Sequence, residues 1–297
     1  MTKKTRNWLI AFGILALPFL IFLGFLTSDV LAPPPLPPLP NPNGYDDFVR
    51  AGKMVAEDTG NYDEMNEAQL RAVVAKNAAA LSLARNGFSN ECRVPLQFST
   101  NYLNAHLAQL AGIKRLAQAF VAEGQLAEME DRTNDAIHSC LDTVHLADES
   151  ARGGVLIDEL VGIAIEAIGT SYLEKLTNHL DATTYHETAA ALETLDSQRQ
   201  AWSQFMQQED KWREAFARLQ KRKISKTEVR SLQNIDQVCE LKFKTQAKKT
   251  RQLMVDLAAR AYELDKGKPP ASVSDLVPDY LKAIPQDPFT GGNLSLH

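Results

Sequence analysis

The sequence predicts an all-α protein with an N-terminal transmembrane helix, a proline-rich spacer, a multi-helix bundle and a short irregular C-terminal tail with little or no strand. Three observations support this prediction. An uncharged run occupies residues 8–28, apolar residues recur at helical spacing from residue 44 onwards, and no alternating strand pattern precedes the tail. A composition of 44% hydrophobic and 23% charged residues excludes a disordered or fibrous protein.

The N-terminal run is predicted to be an uncleaved membrane anchor. Lys3, Lys4 and Arg6 precede residues 8–28, which at ~1.5 Å per residue can span the ~30 Å hydrocarbon layer. A cleaved signal peptide is the alternative, but its apolar core is usually only ~7–15 residues long. The one cleavage-like site here is followed at once by Pro33, which favours the anchor.

The distribution of charge around the anchor predicts the topology. The basic residues next to the span lie before it and Asp29 lies after it, so residues 1–7 are expected in the cytoplasm and the bulk of the chain in the periplasm, as in a single-pass bacterial inner-membrane protein. Residues 29–43 are rich in proline and predict an extended polyproline spacer. An SH3-type ligand is the alternative for the spacer, but it would need a cytoplasmic partner.

Residues 44–265 are predicted to form the helical domain, and residues 266–297 the tail. The pattern of apolar residues, capping boxes and terminating glycines indicates helices at 66–87, 103–124, 126–147 and 155–176, one beginning at the capping box Thr184–Glu187, and a long one over 225–265. The polar stretch 244–250 is the weakest point of the last helix.

The helix predicted at 155–176 is apolar almost all round, which is typical of the centre of a bundle. Asp158, Glu159 and Glu166 argue against a second membrane span. We expect Glu166 to lie at the bundle edge as a solvated residue, and the alternative is a buried functional carboxylate.

Charge is distributed unevenly within a net charge of −5. Residues 44–210 hold 26 acidic and 12 basic residues, a balance of −14, whereas residues 211–251 hold 4 acidic and 13 basic residues, a balance of +9. The simplest prediction is that the basic segment folds against the acidic body. The alternative is contact with an anionic surface such as lipid headgroups or wall polymers, through Lys221, Arg222, Lys223, Lys248 and Lys249. The predicted topology excludes nucleic acid.

One helix face could bind a metal ion. His138, Asp142 and His145 are spaced i, i+4 and i+7, so they share a face, and all three side chains are of ligand types. An ordinary solvated polar face is the alternative, because such triplets arise often and the glutamate base of an H-E-x-x-H motif is missing.

No other signature of catalysis or of a cofactor occurs, so no cofactor is predicted. The three cysteines are far apart in sequence and form no CxxC pair, which excludes a zinc knuckle or a redox motif. Cys140 falls on an apolar stripe and is expected to be buried. In an oxidising compartment this leaves a disulfide between Cys92 and Cys239 as the pairing to test.

The tail contains three punctuated blocks. These are Ala261-Tyr262-x-x-Asp265-x-Gly267-x-Pro269, then Ser272-x-x-Asp275-Leu276-x-Pro278-x-Tyr280-Leu281, then Ile284-Pro285-x-Asp287-Pro288-Phe289-x-Gly291. In this order they resemble the segment after the long helix of type II secretion pseudopilins. That resemblance implies a region packed on the helix, and in pseudopilins it can carry a calcium site, for which Asp287 is the residue to watch. The N-terminus lacks the pilin processing site and its early glutamate, so pilus assembly and calcium binding are not carried over.

Together these features predict a membrane-anchored envelope protein that acts as a non-enzymatic scaffold or interaction module facing the periplasm. Two alternatives remain open at this point. One is a metal-dependent enzyme that uses the His138, Asp142 and His145 face. The other is an accessory protein of a type II secretion-like system.

Overall fold

The computed structural model describes residues 37–56, 62–97, 102–177, 180–219 and 226–296. Within these ranges the chain is helical and forms no β-strand, which confirms the predicted all-α multi-helix bundle. The predicted anchor at 8–28 and most of the spacer lie outside the described residues. No helix within the described ranges is both long enough and apolar enough to cross a membrane.

Eight α-helices and two short 3-10 helices are described. They are α1 Gly44–Met54, α2 Glu67–Gly87, α3 Tyr102–Met129, α4 Thr133–Ala151, α5 Leu156–Leu176, α6 Ala182–Gln198, α7 Trp202–Leu219 and α8 Lys226–Lys266, with 3-10 helices at Tyr62–Glu64 and Val273–Leu276.

The bundle has two packed halves that share α4 and α5. In one half α1, α2 and α3 pack on one another, and α3 packs on α4 and α5. In the other half α6 lies along α8, and α8 also contacts α5. Both α4 and α5 therefore contribute side chains to two apolar cores.

Two predicted helix boundaries are wrong. The expected break at Gly124 is absent, because α3 continues to Met129 and Gly124 provides the room for Tyr172 of α5, whose ring would lie 3.1 Å from a Cβ at that position. The N-cap expected at Thr184 lies instead at Asp181, whose carboxylate accepts the backbone N–H of Thr184 at 2.7 Å.

Helix α8 runs without a break through the polar stretch 244–250. Its polar residues do not interrupt it because Gln246, Ala247 and Thr250 face the bundle and are buried. Gln246 Nε2 donates to the Thr170 hydroxyl of α5 at 3.2 Å, so a polar contact within the bundle supports the helix here.

Helices α1 and α3 cross at two glycines. A Cβ placed on Gly52 would lie 2.7 Å from the carbonyl carbon of Gly112, which is closer than packed atoms approach. The two backbones can therefore touch only because neither residue carries a side chain.

The tail folds back on α8 and joins its core. Gly267 ends the helix at a φ of +69°, and the side chains of Val273, Leu276, Tyr280, Leu281 and Leu294 are buried in the same apolar cluster as α8.

Asp287 accepts hydrogen bonds from the ammonium of Lys248 at 2.7 Å and from the backbone N–H of Phe289 at 2.8 Å, and these bonds lower its pKa. Both carboxylate oxygens thus stabilise a turn and its contact with α8.

A buried ion pair joins α3 to the start of α5. His106 Nε2 lies 2.5 Å from Asp158 Oδ1, and both side chains are fully buried. Burial alone would lower the pKa of His106, but the hydrogen bond with Asp158 and the charge of that carboxylate outweigh burial and raise it. The other oxygen of Asp158 accepts the backbone N–H of Val155 and begins α5.

Replacing His106 with glutamine is expected to cost about 1–3 kcal/mol of unfolding free energy at pH 6, the range for a buried hydrogen bond to a charged group. The pKa of His106 in the folded state is raised above 6.5. The stabilisation by the His106–Asp158 pair is therefore fully present below pH 6.5 and is lost as the pH rises through the folded pKa of His106. Urea denaturation at pH 6 and pH 9 should therefore show a smaller cost at pH 9. The exposed His138→Gln variant is the control, and equal costs at both pH values would contradict this account.

Candidate functional site

A groove lies where the α4–α5 turn, the start of α7 and two extended segments meet. Its volume is 590 Å³, within the range of small-ligand sites. One wall is formed by residues 91–96 together with Pro37 and Leu39, and the opposite wall by α7. Arg152 and Gly153 lie between the two walls. We call this feature the glutamine groove.

The α7 wall presents polar amides. Gln204, Gln207 and Gln208 line the groove, and their side chains make no hydrogen bond with any described residue. Each carboxamide carries donors and an acceptor, so these three side chains are free to bind a ligand that has both. Lys211 adds an exposed positive charge to the same wall.

The opposite wall is apolar and held in place by hydrogen bonds. Pro37, Leu39 and Pro95 supply its apolar surface, Val94 and Leu96 are buried behind it, and the ion-paired Glu91 and Arg93 lie beside it. The Val94 N–H donates to the carbonyl of Arg152 at 3.0 Å, and the Arg93 N–H donates to Asn43 Oδ1 at 2.9 Å. The segment is therefore fixed in an extended form against the helical body.

A second recess lies beyond Cys92 and Arg152. It measures 560 Å³, and its lining includes Phe88, His145 and Glu149. His145 stacks on Phe88 with ring centroids 4.3 Å apart, and burial lowers the pKa of this histidine. The two recesses share Glu91, Cys92 and Arg152, so these residues form the ridge between them.

Arg152 links the glutamine groove to charged groups inside the bundle. Its guanidinium pairs with Asp148 and, at 2.7 Å, with Glu149. Burial raises the pKa of Asp148 to about 6, and the charge of Arg152 opposes this rise. The backbone N–H of Gln200, a groove residue, also donates to Asp148 at 3.3 Å.

A buried ionic cluster lies deeper, between α4, α5, α6 and α8. Arg199 makes a two-pronged contact with Glu166, at 2.9 and 2.5 Å, and its Nε donates to Asp196 at 2.9 Å. The Thr250 hydroxyl donates to Glu166 at 2.6 Å, and Arg251 donates to Asp196 at 2.7 Å. The expectation that Glu166 is a solvated edge residue is therefore wrong, because the residue is only 3% exposed.

Glu159 is the one carboxylate of this cluster that has no hydrogen-bond or ion-pair partner among the described residues. It is 6% exposed and lines a cavity of 20 Å³, about the size of a single water molecule. Asp148, Glu149, Glu166 and Asp196 share the three arginines Arg152, Arg199 and Arg251, so an ionised Glu159 would add to an excess of negative charge. Burial, with help from the charges of Glu166 and Asp148, raises its pKa well above 4.5.

The three residues of the predicted metal face have separate surroundings. His138 is exposed, Asp142 accepts a hydrogen bond from Arg85 at 2.7 Å, and His145 stacks on Phe88. Among the described residues, no group of three or more His, Cys, Asp or Glu side chains could hold a metal ion. The structure thus does not bring the predicted ligands together.

The predicted disulfide between Cys92 and Cys239 is not formed. Both cysteines are free and buried, as is Cys140, whose burial agrees with its place on the apolar stripe. The Cys92 thiol lies 3.8 Å from the carbonyl oxygen of Gly87, and burial raises the pKa of Cys92. Cys92 is therefore a structural residue within the ridge.

Comparison with known proteins finds no matching family model, no matching curated protein and no matching solved structure. The glutamine groove is therefore interpreted from its own geometry. The sequence alone did not reveal its glutamines, because the aromatic seam dominates the pattern of α7. The available signal was the spacing of Gln204, Gln207 and Gln208 at i, i+3 and i+4, which places three amides on one side of the helix.

Proposed function

We propose that this protein is an interaction module of the bacterial envelope that binds an extended segment of a partner protein in the glutamine groove. The observation that carries the proposal is the pairing of three unbonded glutamine amides with an apolar wall. A peptide backbone offers N–H donors and C=O acceptors in alternation, which carboxamides can match, while its side chains can contact the apolar wall.

The chemistry of the lining favours a peptide over a sugar or a nucleobase. No aromatic side chain lines the glutamine groove among the described residues, so it offers no flat surface on which a ring could stack. Arg93 is paired with Glu91 within the lining, at 3.0 Å, whereas Lys211 makes no ion pair with a described residue. The positive charge of Lys211 suits a segment that carries an acidic residue.

The predicted topology supports the envelope setting. Pro37 and Leu39 belong to the predicted spacer and also form part of the groove wall, so the groove would lie where the folded body meets the anchor. The resemblance of the tail to pseudopilins supports a secretion-related partner as the narrower version of this proposal. The metal-enzyme alternative is not adopted, because Asp142 and His145 are engaged elsewhere.

Selection from a random peptide library against the full chain in detergent micelles tests the proposal. We expect peptides whose affinity falls by about thirtyfold in a Gln204→Ala/Gln208→Ala variant, since two lost amide hydrogen bonds at about 1 kcal/mol each remove about 2 kcal/mol. The matched control is Gln233→Ala, which removes an exposed glutamine of α8 outside the groove.

Two outcomes would overturn the proposal. One is a set of selected peptides that bind the double variant as tightly as they bind the unaltered chain. The other is recovery of no peptide from the library. In that case an array of envelope oligosaccharides, probed with the unaltered chain and with the double variant, would show whether the groove binds a glycan instead.

A further inference from the structure

The first half of α8 has two unlike faces. The face towards the bundle carries Cys239 and Phe243, which are buried, and Asp236, which pairs with Arg213 of α7 at 2.7 Å. At 3.6 residues per turn, the opposite half of the helix surface carries Val238 and Leu241. These two side chains are 55% and 56% exposed.

The outward face combines an apolar stripe with positive charge. Ile235, Val238 and Leu241 follow one another at spacings of three and are each about half exposed. Arg230, Lys242 and Lys249 lie on the same side and make no ion pair with any described residue.

The acidic residues of this part of α8 lie away from that face. Between residues 229 and 249 the acidic residues are Asp236 and Glu240, and each is ion-paired, with Arg213 and with Lys244 respectively. Between residues 229 and 249 the outward half therefore carries exposed aliphatic side chains and positive charge with no negative charge. This combination is typical of helices that lie in the interface of an anionic membrane.

We propose that this face, Arg230, Ile235, Val238, Leu241, Lys242 and Lys249, binds the surface of an anionic phospholipid bilayer. Charge complementarity favours this partner, since the basic side chains can contact lipid phosphates while the aliphatic stripe enters the headgroup region. The uncharged segment 8–28 would hold the same chain at a bilayer and so raise the effective concentration of the face there. The proposal is independent of the glutamine groove.

Reconstitution of the full chain into vesicles tests this contact. A fluorophore is attached at Asn234→Cys, since Asn234 is exposed beside the stripe and the native cysteines are buried. Its quenching by headgroup spin-labelled lipid is compared in phosphatidylcholine vesicles and in vesicles rich in phosphatidylglycerol. We expect quenching in the phosphatidylglycerol vesicles that weakens at high salt.

Charge reversal at Lys242→Glu/Lys249→Glu should weaken this lipid contact by about tenfold or more, because two charges that the anionic surface attracts become two that it repels. The matched control is Lys76→Glu/Lys114→Glu, which makes the same change of net charge at exposed positions on α2 and α3. Equal quenching in both vesicle types would overturn the proposal. Self-association of the chain through the labelled face in the absence of lipid would also overturn the proposal, because the face would then bind a second copy of the chain.

Discussion

Replacing Arg199 with methionine is expected to destabilise the folded chain by about 3–5 kcal/mol, the cost of removing one partner of a buried ion pair. Arg199 lies between Glu166 and Asp196 with its side chain 14% exposed, and its loss leaves the buried Glu166 carboxylate without its two-pronged partner. Asp196 keeps Arg251, so the penalty should fall mainly on Glu166. Urea denaturation followed by circular dichroism measures the loss.

A double variant separates loss of the pair from loss of packing. Arg199→Met/Glu166→Leu removes both charges, so it should recover much of the stability lost in the single variant. The surface variant Arg132→Met removes an arginine whose pairs with Glu130 and Asp135 are exposed, and it should cost little. A loss in Arg199→Met no larger than that in Arg132→Met would contradict a buried ionic cluster.

The helices themselves were largely predictable, because their signals are local. The apolar spacing of α2 and the nearly uniform hydrophobicity of α5 predicted both helices and the central place of α5. Reliance on local signals also led to the wrong prediction of a helix break at Gly124. A glycine in a sequence looks like a helix stop, whereas here it is required by the Tyr172 ring of another helix.

The candidate site could not be predicted, because its partners are distant in sequence. Glu166 is a buried ion-pair residue only because Arg199, 33 residues later, is brought against it by the turn after α6. The metal face shows the reverse case. His138, Asp142 and His145 do lie on one helix, but Arg85 and Phe88, in and just after α2, engage two of them, and no helical spacing reveals such neighbours.

The expected pairing of the basic segment with the acidic body holds only in places. Arg251 contacts Asp196 of α6, whereas Lys242 and Lys249 pair with no described acidic group. Lys221, Arg222 and Lys223 lie outside the described residues. Some of the basic residues therefore pair inside the bundle and stabilise it. Those on the outward face of α8 stay available to an anionic surface.

Replacing Glu159 with glutamine should stabilise the protein at neutral and alkaline pH. The folded pKa of Glu159 is raised well above 4.5, so the folded state holds a proton that the unfolded state has released. Stability therefore falls as pH rises from about 4.5 to the folded pKa. Glutamine has nearly the same shape and no charge, so it removes this penalty.

The pH profile of the Glu159→Gln variant is the decisive measurement. Its gain in unfolding free energy should be near zero at pH 4 and should reach the order of 1 kcal/mol or more at pH 8, since one unit of pKa shift corresponds to about 1.4 kcal/mol. Glu187→Gln, at an exposed position on α6, should leave the profile unchanged. A gain that is the same at pH 4 and pH 8 would mean that packing, and not the proton held by Glu159, accounts for the change. A pH-dependent gain would instead show that the carboxyl beside the 20 Å³ cavity lowers the stability of the folded chain once the unfolded chain has released its proton.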